Sequence, residues 1–122
     1  YNTPEGSAIG DYIHVVDLAK AHVLAVDRLI QRKNQFNYEY FNLGTGSGLS
    51  VLEIVETFQR VNQVKVNYRI VDRRPGDVEQ IYADTGLANH VLGWKASLDV
   101  SEMLKSAWKW QLYLKEHHEL SA

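Results

Sequence analysis

The pattern of apolar and polar positions divides the chain into short extended runs and amphipathic helices. Between residues 16 and 33 apolar side chains recur every three or four positions, which predicts a helix. Its apolar positions form two adjacent stripes, and so wide an apolar face is typical of a helix that packs against a sheet. The stripes are Leu18, Ala21, Ala25 and Leu29, and beside them Ala19, Val23, Val26 and Ile30.

Strand-like runs lie on both sides of this helix. Residues 12–15 and 81–83 are brief extended pieces, and residues 38–43 have the composition of a full strand. Residues 64–71 alternate strictly between apolar and polar, which predicts a strand with one buried face. The positions on that face are Val64, Val66, Tyr68 and Ile70.

Three further helices are predicted from polar residues that cap a first turn. They cover about residues 50–63, 84–92 and 99–116. The capping residues are Ser50 with Glu53, Asp84, and Asp99 with Glu102. Alternation of strands and helices predicts an α/β fold with few strands and about four helices, in one domain over residues 1–122. The strands are too few for a complete doubly wound sheet.

Composition narrows the function classes. The 122 residues carry a net charge of −2, so no general basic surface points to nucleic acid. The sequence contains no run of about 18 apolar residues, so it predicts no membrane-spanning helix. The absence of cysteine excludes disulfides and thiolate metal sites. We therefore expect a cytoplasmic protein that binds neither nucleic acid nor membrane.

The most suggestive polar stretch is Arg-Arg-Pro-Gly-Asp at residues 73–77. Each arginine carries five N–H donors in a planar fork that matches phosphate oxygens. Pro75 fixes its own φ and biases Arg74 away from the helical region, while Gly76 permits conformations that other residues resist. The stretch predicts a rigid loop that aims positive charge, although a solvated surface turn explains the same residues.

The glycine-rich run at residues 44–48, Gly-Thr-Gly-Ser-Gly, follows a predicted strand and precedes a helix. A dinucleotide-binding fingerprint would read G-x-G-x-x-G, yet Leu49 occupies the place of the third glycine. The acid expected about 20 residues later is also absent. We therefore interpret the run as a strand-to-helix turn, and expect no cofactor to bind there.

Covalent catalysis finds no support in the sequence. There is no G-x-S-x-G elbow and no cysteine, and the five histidines are scattered. His14 lies in an apolar run, which favours a packed histidine over a general base. No tyrosine is followed by a lysine four positions later.

Taken together, several motifs resemble one protein family. They are residues 11–22 (D-Y-I-H-V-V-D-L-A-K-A-H), 41–53 (F-N-L-G-T-G-S-G-L-S-V-L-E), 73–77 (R-R-P-G-D), 82–84 (Y-A-D), 92–94 (L-G-W) and 108–111 (W-K-W-Q). From about residue 1 to 110 the chain closely resembles the C-terminal part of the UDP-glucose 4-epimerases, in the extended short-chain dehydrogenase/reductase family. D-Y-I-H-V also occurs in sister enzymes, whereas the set that includes R-R-P-G-D favours the epimerases.

The resemblance implies a division of labour between two domains. Family members interconvert UDP-glucose and UDP-galactose by oxidation and re-reduction at the sugar C4. They use NAD held in an N-terminal Rossmann domain, with a Tyr-x-x-x-Lys pair for acid–base work. This chain begins at Tyr1 without an initiator Met and lacks that pair. We therefore expect a C-terminal fragment of a homodimeric parent, inactive alone and binding no cofactor itself, with an exposed apolar patch where the missing Rossmann domain packs.

The resemblance also implies a UDP-sugar site in this part of the protein. Arg74 matches an arginine that contacts the diphosphate, and Asp77 matches an acid that contacts the nucleotide at the ribose. Tyr12 and Val51 match positions that line the same pocket. Ile81 matches a position that limits whether an N-acetyl group fits at the sugar C2, and its intermediate size leaves acceptance of N-acetylated sugars open.

One departure from the family pattern concerns the anion. The family places an arginine, a second diphosphate contact, where this chain has Gly10. Losing a charge-assisted hydrogen bond costs about 1.5–3 kcal/mol when nothing replaces it, and Arg73 or Lys20 are the candidate replacements.

Three other interpretations stay open at the level of sequence. The parent enzyme can instead be a sister nucleotide-sugar 4,6-dehydratase or decarboxylase. The chain can be a nucleotide-diphosphate binding module without catalysis. It can also be a purely structural fold that uses the R-R-P-G-D loop as an interface.

Overall fold

Helices make up most of the regular structure in residues 1–117, the part of the chain that the computed structural model describes. Helix α1 spans Val15–Ile30, α2 spans Val51–Asn62 and α3 spans Val100–Glu116, with a short π-helix at Ala88–Leu92. Strands β1 (Ile9–Gly10) and β2 (Leu49–Ser50) pair antiparallel. The prediction of an α/β fold with few strands and about four helices is confirmed.

Two of the three predicted capping signals are confirmed, whereas Asp84 accepts from the Gly86 N–H and the short π-helix that follows starts without a side-chain cap. The Ser50 hydroxyl accepts a hydrogen bond from the Glu53 N–H, and the Asp99 carboxylate accepts one from the Glu102 N–H. Helix α1 differs, because its N-cap is His14, whose Nδ1 accepts from the Val16 N–H at 3.0 Å. The His14 ring is buried, as expected, and its Nε2 lies 3.1 Å from the Ser106 hydroxyl of α3.

Three predicted strands are wrong, at residues 12–15, 38–43 and 64–71. Residues 64–71 do not pair with another strand of the described chain. Ile70 is 82% exposed, so no other described segment covers this end of the face that the alternating pattern predicts to be buried. A strand needs a neighbour for its backbone groups, and no neighbouring strand runs beside these segments in residues 1–117. An ion pair holds residues 38–43 to α1 instead, between Arg28 Nε and Glu39 Oε1 at 2.9 Å.

The two-stranded sheet lies where three segments of the chain meet. Ile9 pairs with Ser50 of β2, and on its other side it forms a parallel bridge with Gln80. The Ile9 N–H donates to the Glu79 carbonyl at 2.9 Å, and the Ile81 N–H donates to the Ile9 carbonyl at 3.0 Å. Strand β1 therefore holds the start of α2 and the segment that follows the arginine loop against the N-terminal segment.

The core is small and contains a buried carboxylate. Ala21, Ala88 and Trp94 form its apolar centre, and the Trp94 indole N–H donates to the Asp17 carbonyl at 2.8 Å. The Asp17 side chain is 1% exposed and accepts hydrogen bonds from the N–H groups of Ser97 and Leu98. Burial alone would raise the pKa of Asp17, but these donors hold it below its usual value.

Helix α1 buries its first apolar stripe only in part, since Leu29 is 60% exposed, and it leaves the second stripe exposed. Ala21 is 2% exposed, whereas Val23, Val26 and Ile30 are 68%, 55% and 74% exposed. The residues of this second stripe lie on the same side of the helix, because they are spaced by three or four positions. An exposed apolar patch, as the sequence predicts, therefore exists on α1. No helix in residues 1–117 is both long and apolar enough to cross a bilayer.

Candidate functional site

A cleft of about 450 Å³ opens between the N-terminal segment, the first turns of α2 and the arginine loop. We call it the loop cleft. It is lined by Tyr1, residues 5–8, Val51, Leu52, Val55, residues 68–71, Arg73, Arg74 and Asp77. A second cavity, beside α1 at residues 36–41, holds about 200 Å³ and is lined mainly by apolar and aromatic side chains. The loop cleft is the larger of the two and is the one that contains the predicted cationic residues.

The arginine loop is a tight turn, as its sequence predicts. The Asp77 N–H donates to the Arg74 carbonyl at 3.4 Å, which closes a four-residue turn. Gly76, at the third position, has φ +86°, a conformation that a side chain at this position would disfavour. Pro75 precedes it at the position where a fixed negative φ suits a type II turn.

Arg73 is held by three contacts within the protein. Its NH1 donates to Glu79 Oε1 at 2.9 Å, and its NH2 donates to the Asp77 carbonyl at 2.8 Å. The guanidinium carbon also lies 4.9 Å from the centre of the Tyr1 ring, within the range of a cation–π contact. Arg73 is therefore a cation that stabilises the loop. It is a poor replacement for the arginine that the family resemblance implies at position 10.

Arg74 presents its charge to the cleft differently. Only its Nε is engaged, 3.0 Å from Asp77 Oδ1 and 3.2 Å from Oδ2, and the side chain is 82% exposed. The terminal NH1 and NH2 groups of Arg74 make no contact with another described residue. The hydrogen bond to Asp77 raises the pKa of Arg74 and so keeps it charged.

Asp77 accepts hydrogen bonds from two side chains at once. The Tyr1 hydroxyl donates to Asp77 Oδ2 at 2.5 Å, and Arg74 Nε donates to both carboxylate oxygens. These two partners, Tyr1 first, lower the pKa of Asp77, and the same bond raises the pKa of the Tyr1 phenol. The carboxylate therefore stays ionised in moderately acidic solution and keeps Arg74 oriented.

The start of α2 borders the loop cleft, but its N–H donors are taken by the protein. The Val51 N–H donates to the Ala8 carbonyl at 3.0 Å, and the Leu52 N–H donates to the Ser7 hydroxyl at 3.3 Å. The Ser50 hydroxyl donates to Glu5 Oε2 at 2.6 Å while it caps the helix. These N–H groups are therefore not available to an anion, so the cations that line the cleft are side chains.

The structure brings three of the five predicted site residues together. Arg74, Asp77 and Val51 line the loop cleft. Tyr12 is not among the lining residues, and its ring lies beside Gly10. Ile81 is 62% exposed and also lies outside the lining, although its N–H is fixed to β1.

The glycine-rich turn at residues 44–48 wraps around a protein carboxylate. Asp11 accepts from the Thr45 N–H at 2.9 Å, the Thr45 hydroxyl at 2.7 Å, the Gly46 N–H at 3.0 Å and the Ala83 N–H at 3.2 Å. Burial opposes ionisation of Asp11, but these donors lower its pKa below the usual value. The donors that a phosphate would need are thus used to fasten three segments of the chain.

Sequence reasoning missed three residues of the site. The contact of Tyr1 with Asp77 joins positions 76 residues apart, which no local pattern reveals. No sequence pattern around Glu79 predicts its role, although its carboxylate accepts a hydrogen bond from Arg73. Arg69 lines the cleft as a further cation, and its place in the predicted strand was the only available indication. No group of three or more metal-ligating side chains occurs in residues 1–117.

Comparison with known proteins places the chain in a family. A sequence model of the family described as GDP-mannose 4,6 dehydratase matches residues 1–107. The chain belongs to this family. Among curated relatives, it is 46% identical to the UDP-glucose 4-epimerase of Pasteurella multocida over 111 residues, 91% of this chain and 32% of that protein. It is 44% identical to the human UDP-glucose 4-epimerase, again over 91% of this chain and 31% of the relative.

Solved structures agree with this assignment. UDP-glucose 4-epimerase from Stenotrophomonas maltophila, with bound NAD and formylated UDP-arabinopyranose, superposes with a TM-score of 0.89 at 44% identity, covering 96% of this chain and 34% of that one. The enzyme from Bifidobacterium longum, in complex with NAD+ and UDP, gives a TM-score of 0.81 at 42% identity, covering 93% and 32%.

The sequence resemblance to the UDP-glucose 4-epimerases is thus confirmed. The chain spans about a third of the length of the curated relatives it matches.

Proposed function

We propose that the loop cleft binds the UDP moiety of a nucleotide sugar, and that the chain is the C-terminal substrate-binding part of a UDP-glucose 4-epimerase. Arg74 contacts the diphosphate and Asp77 accepts hydrogen bonds from the ribose hydroxyls. Val51 contributes to the wall. Tyr12 and Ile81 reach the sugar-proximal part of the same ligand beyond the cleft.

The observation that carries this proposal is the geometry of Arg74. Arg74 lines the cleft with an 82% exposed side chain, and its Nε is anchored to Asp77, while its terminal guanidinium nitrogens form no hydrogen bond within residues 1–117. A planar fork fixed along one edge offers its other edge to two oxygens of a phosphate. At about 450 Å³ the cleft also has the size of a small-molecule site, with Val51, Leu52 and Val55 as an apolar wall.

The relatives support UDP as the ligand. The Stenotrophomonas and Bifidobacterium enzymes were solved with a UDP-sugar and with UDP, and the chain superposes on each over more than nine-tenths of its length. NAD, present in both structures, is proposed for the parent enzyme and is held there by the N-terminal Rossmann domain.

We further propose the partners of the chain in its parent enzyme. The Rossmann domain packs on the exposed stripe of α1, and the parent is a cytoplasmic homodimer. This part alone carries no epimerase activity, because the Rossmann domain is the part that holds the nicotinamide. A coupled assay of galactose-to-glucose conversion that shows turnover by this chain would refute the last point.

A second candidate is supported by the family description itself. The matching family is named for a 4,6-dehydratase, so a sister nucleotide-sugar enzyme fits the same binding part. Relatives at 44–46% identity named UDP-glucose 4-epimerase favour epimerisation. Product analysis of the parent enzyme with UDP-glucose separates the two, since dehydration yields a 4-keto-6-deoxy sugar.

Calorimetric titration with UDP-glucose tests the binding proposal, and amide chemical shifts locate the ligand. We expect saturable binding, with shifts concentrated at residues 73–77, residues 7–8 and the first turn of α2. Absence of binding contradicts the proposal. Shifts concentrated at residues 44–48 instead would contradict this location of the site.

A further inference from the structure

Tyr1 makes two contacts that converge on the arginine loop. Its hydroxyl donates to Asp77 Oδ2 at 2.5 Å, and its ring lies under the Arg73 guanidinium at 4.9 Å. One aromatic side chain thus contacts both the carboxylate that orients Arg74 and the neighbouring cation. Its backbone nitrogen donates to the Gly6 carbonyl at 3.0 Å.

These contacts give the two arginines different roles. Arg73 is held by Glu79, the Asp77 carbonyl and the Tyr1 ring, so both of its terminal nitrogens already donate to protein oxygens. Arg74 is fixed only through Nε, on the carboxylate that Tyr1 holds from the other side. Without the Tyr1 hydroxyl, the Asp77 carboxylate keeps Arg74, whose side chain is 82% exposed, as its remaining side-chain partner within residues 1–117.

We propose that Tyr1 is a positioning residue of the nucleotide-sugar site, which fixes Asp77 and Arg73 so that Arg74 presents its guanidinium to the diphosphate. The inference rests on the proposed function of the loop cleft. Tyr1 acts through Asp77 and Arg74 and does not itself contact the diphosphate.

The proposal has a pH signature, because Tyr1 stabilises the ionised form of Asp77. The charged and titratable groups around that carboxylate are Tyr1, Arg73 and Arg74, and Glu5 and Arg69 also line the cleft. Removing the Tyr1 hydroxyl removes the first cause of the lowered pKa of Asp77, so the carboxylate protonates at a higher pH. Ligand affinity is then lost earlier as the pH falls.

Tyr1→Phe tests this, because it retains the ring beneath Arg73 and removes only the hydroxyl. Tyr40→Phe is the matched control, since Tyr40 is 67% exposed and lies outside the lining of the loop cleft. UDP-glucose is the probe, because its diphosphate does not titrate near neutral pH. Two quantities are measured: affinity as a function of pH, and the Asp77 carboxyl titration by carbon-13 NMR without ligand.

For Tyr1→Phe we expect affinity at neutral pH to fall about threefold to tenfold, as for one lost hydrogen bond. The acid limb of the affinity profile and the Asp77 titration move to higher pH together, while Tyr40→Phe matches the wild type. If the variant leaves either the affinity or the Asp77 titration unchanged, the positioning role is overturned. If that happens while Arg74→Ala still abolishes binding, the proposed function survives; if the wild type does not bind UDP-glucose, both fail.

Discussion

At the scale of single residues, Gly10 stands at the position where the family resemblance implies an arginine, and a Cβ can be added there without a clash. A Cβ built at Gly10 would lie 3.5 Å from the Tyr12 ring, an ordinary contact distance. The three atoms nearest to that Cβ all belong to the Tyr12 side chain, so a side chain at Gly10 starts beside a residue that we propose reaches the same UDP-sugar ligand.

Gly10→Arg should therefore increase affinity for UDP-glucose. One added charge-assisted contact contributes about 1.5–3 kcal/mol, roughly tenfold to a hundredfold in the dissociation constant. Calorimetry at low and moderate salt checks this, with a gain that shrinks as salt rises. Gly10→Gln serves as the uncharged control, and equal affinities of the two variants would exclude a diphosphate within reach of this position.

At the scale of elements, the joint between β1, the turn at residues 44–48 and residue 83 is built around one carboxylate. Gly44 is required there, since a Cβ at this position would approach Asp11 Oδ2 to 2.5 Å and the Ala83 Cβ to 2.8 Å. A glycine is needed at position 44 because the backbone closes on a protein side chain there.

Gly44→Ala should destabilise the fold by about 1–3 kcal/mol, because the Asp11 carboxylate must move away from its donors. Urea unfolding followed by circular dichroism measures the change. Gly10→Ala is the control, since its Cβ meets nothing closer than 3.5 Å. Equal free energies of unfolding for both variants would show that the contacts of Asp11 adjust to the added methyl group without loss of stability.

The helices could be predicted from the sequence because their signals are local. Ser50 with Glu53 and Asp99 with Glu102 cap helices within four residues, and the observed starts follow them. The strand at residues 64–71 failed for the opposite reason: alternation defines a face, but pairing needs a neighbour elsewhere in the chain. The same distinction between local and distant signals applies to the site. The loop at residues 73–77 could be predicted from a local pattern, whereas the contact of Tyr1 with Asp77 joins distant positions.

At the scale of the whole molecule, the prominent surface feature is the second stripe of α1. Val23, Val26 and Ile30 are each more than half exposed on one side of the helix. Contiguous apolar surface of this kind marks a place where another part of a protein packs. This agrees with the proposed position of the Rossmann domain.

We expect the chain to bind an apolar fluorescent dye such as anilinonaphthalene sulfonate through this stripe. The double substitution Val23→Lys and Val26→Lys should reduce the dye signal and any self-association seen by light scattering. Val78→Lys is the control, because Val78 is 58% exposed but lies in the loop beyond the arginines. Equal dye binding by the wild type and the double variant would contradict this role of the stripe.

The central claim is that Arg74 is the cation that holds a nucleotide diphosphate in the loop cleft. The most direct test is calorimetric titration of UDP-glucose into the wild type, Arg74→Ala and Arg60→Ala. Arg60 is a matched exposed arginine in the last turn of α2, outside the cleft lining. The account predicts that Arg74→Ala weakens binding at least tenfold while Arg60→Ala binds like the wild type. Equal affinity of Arg74→Ala and the wild type, with both folded by circular dichroism, would contradict it.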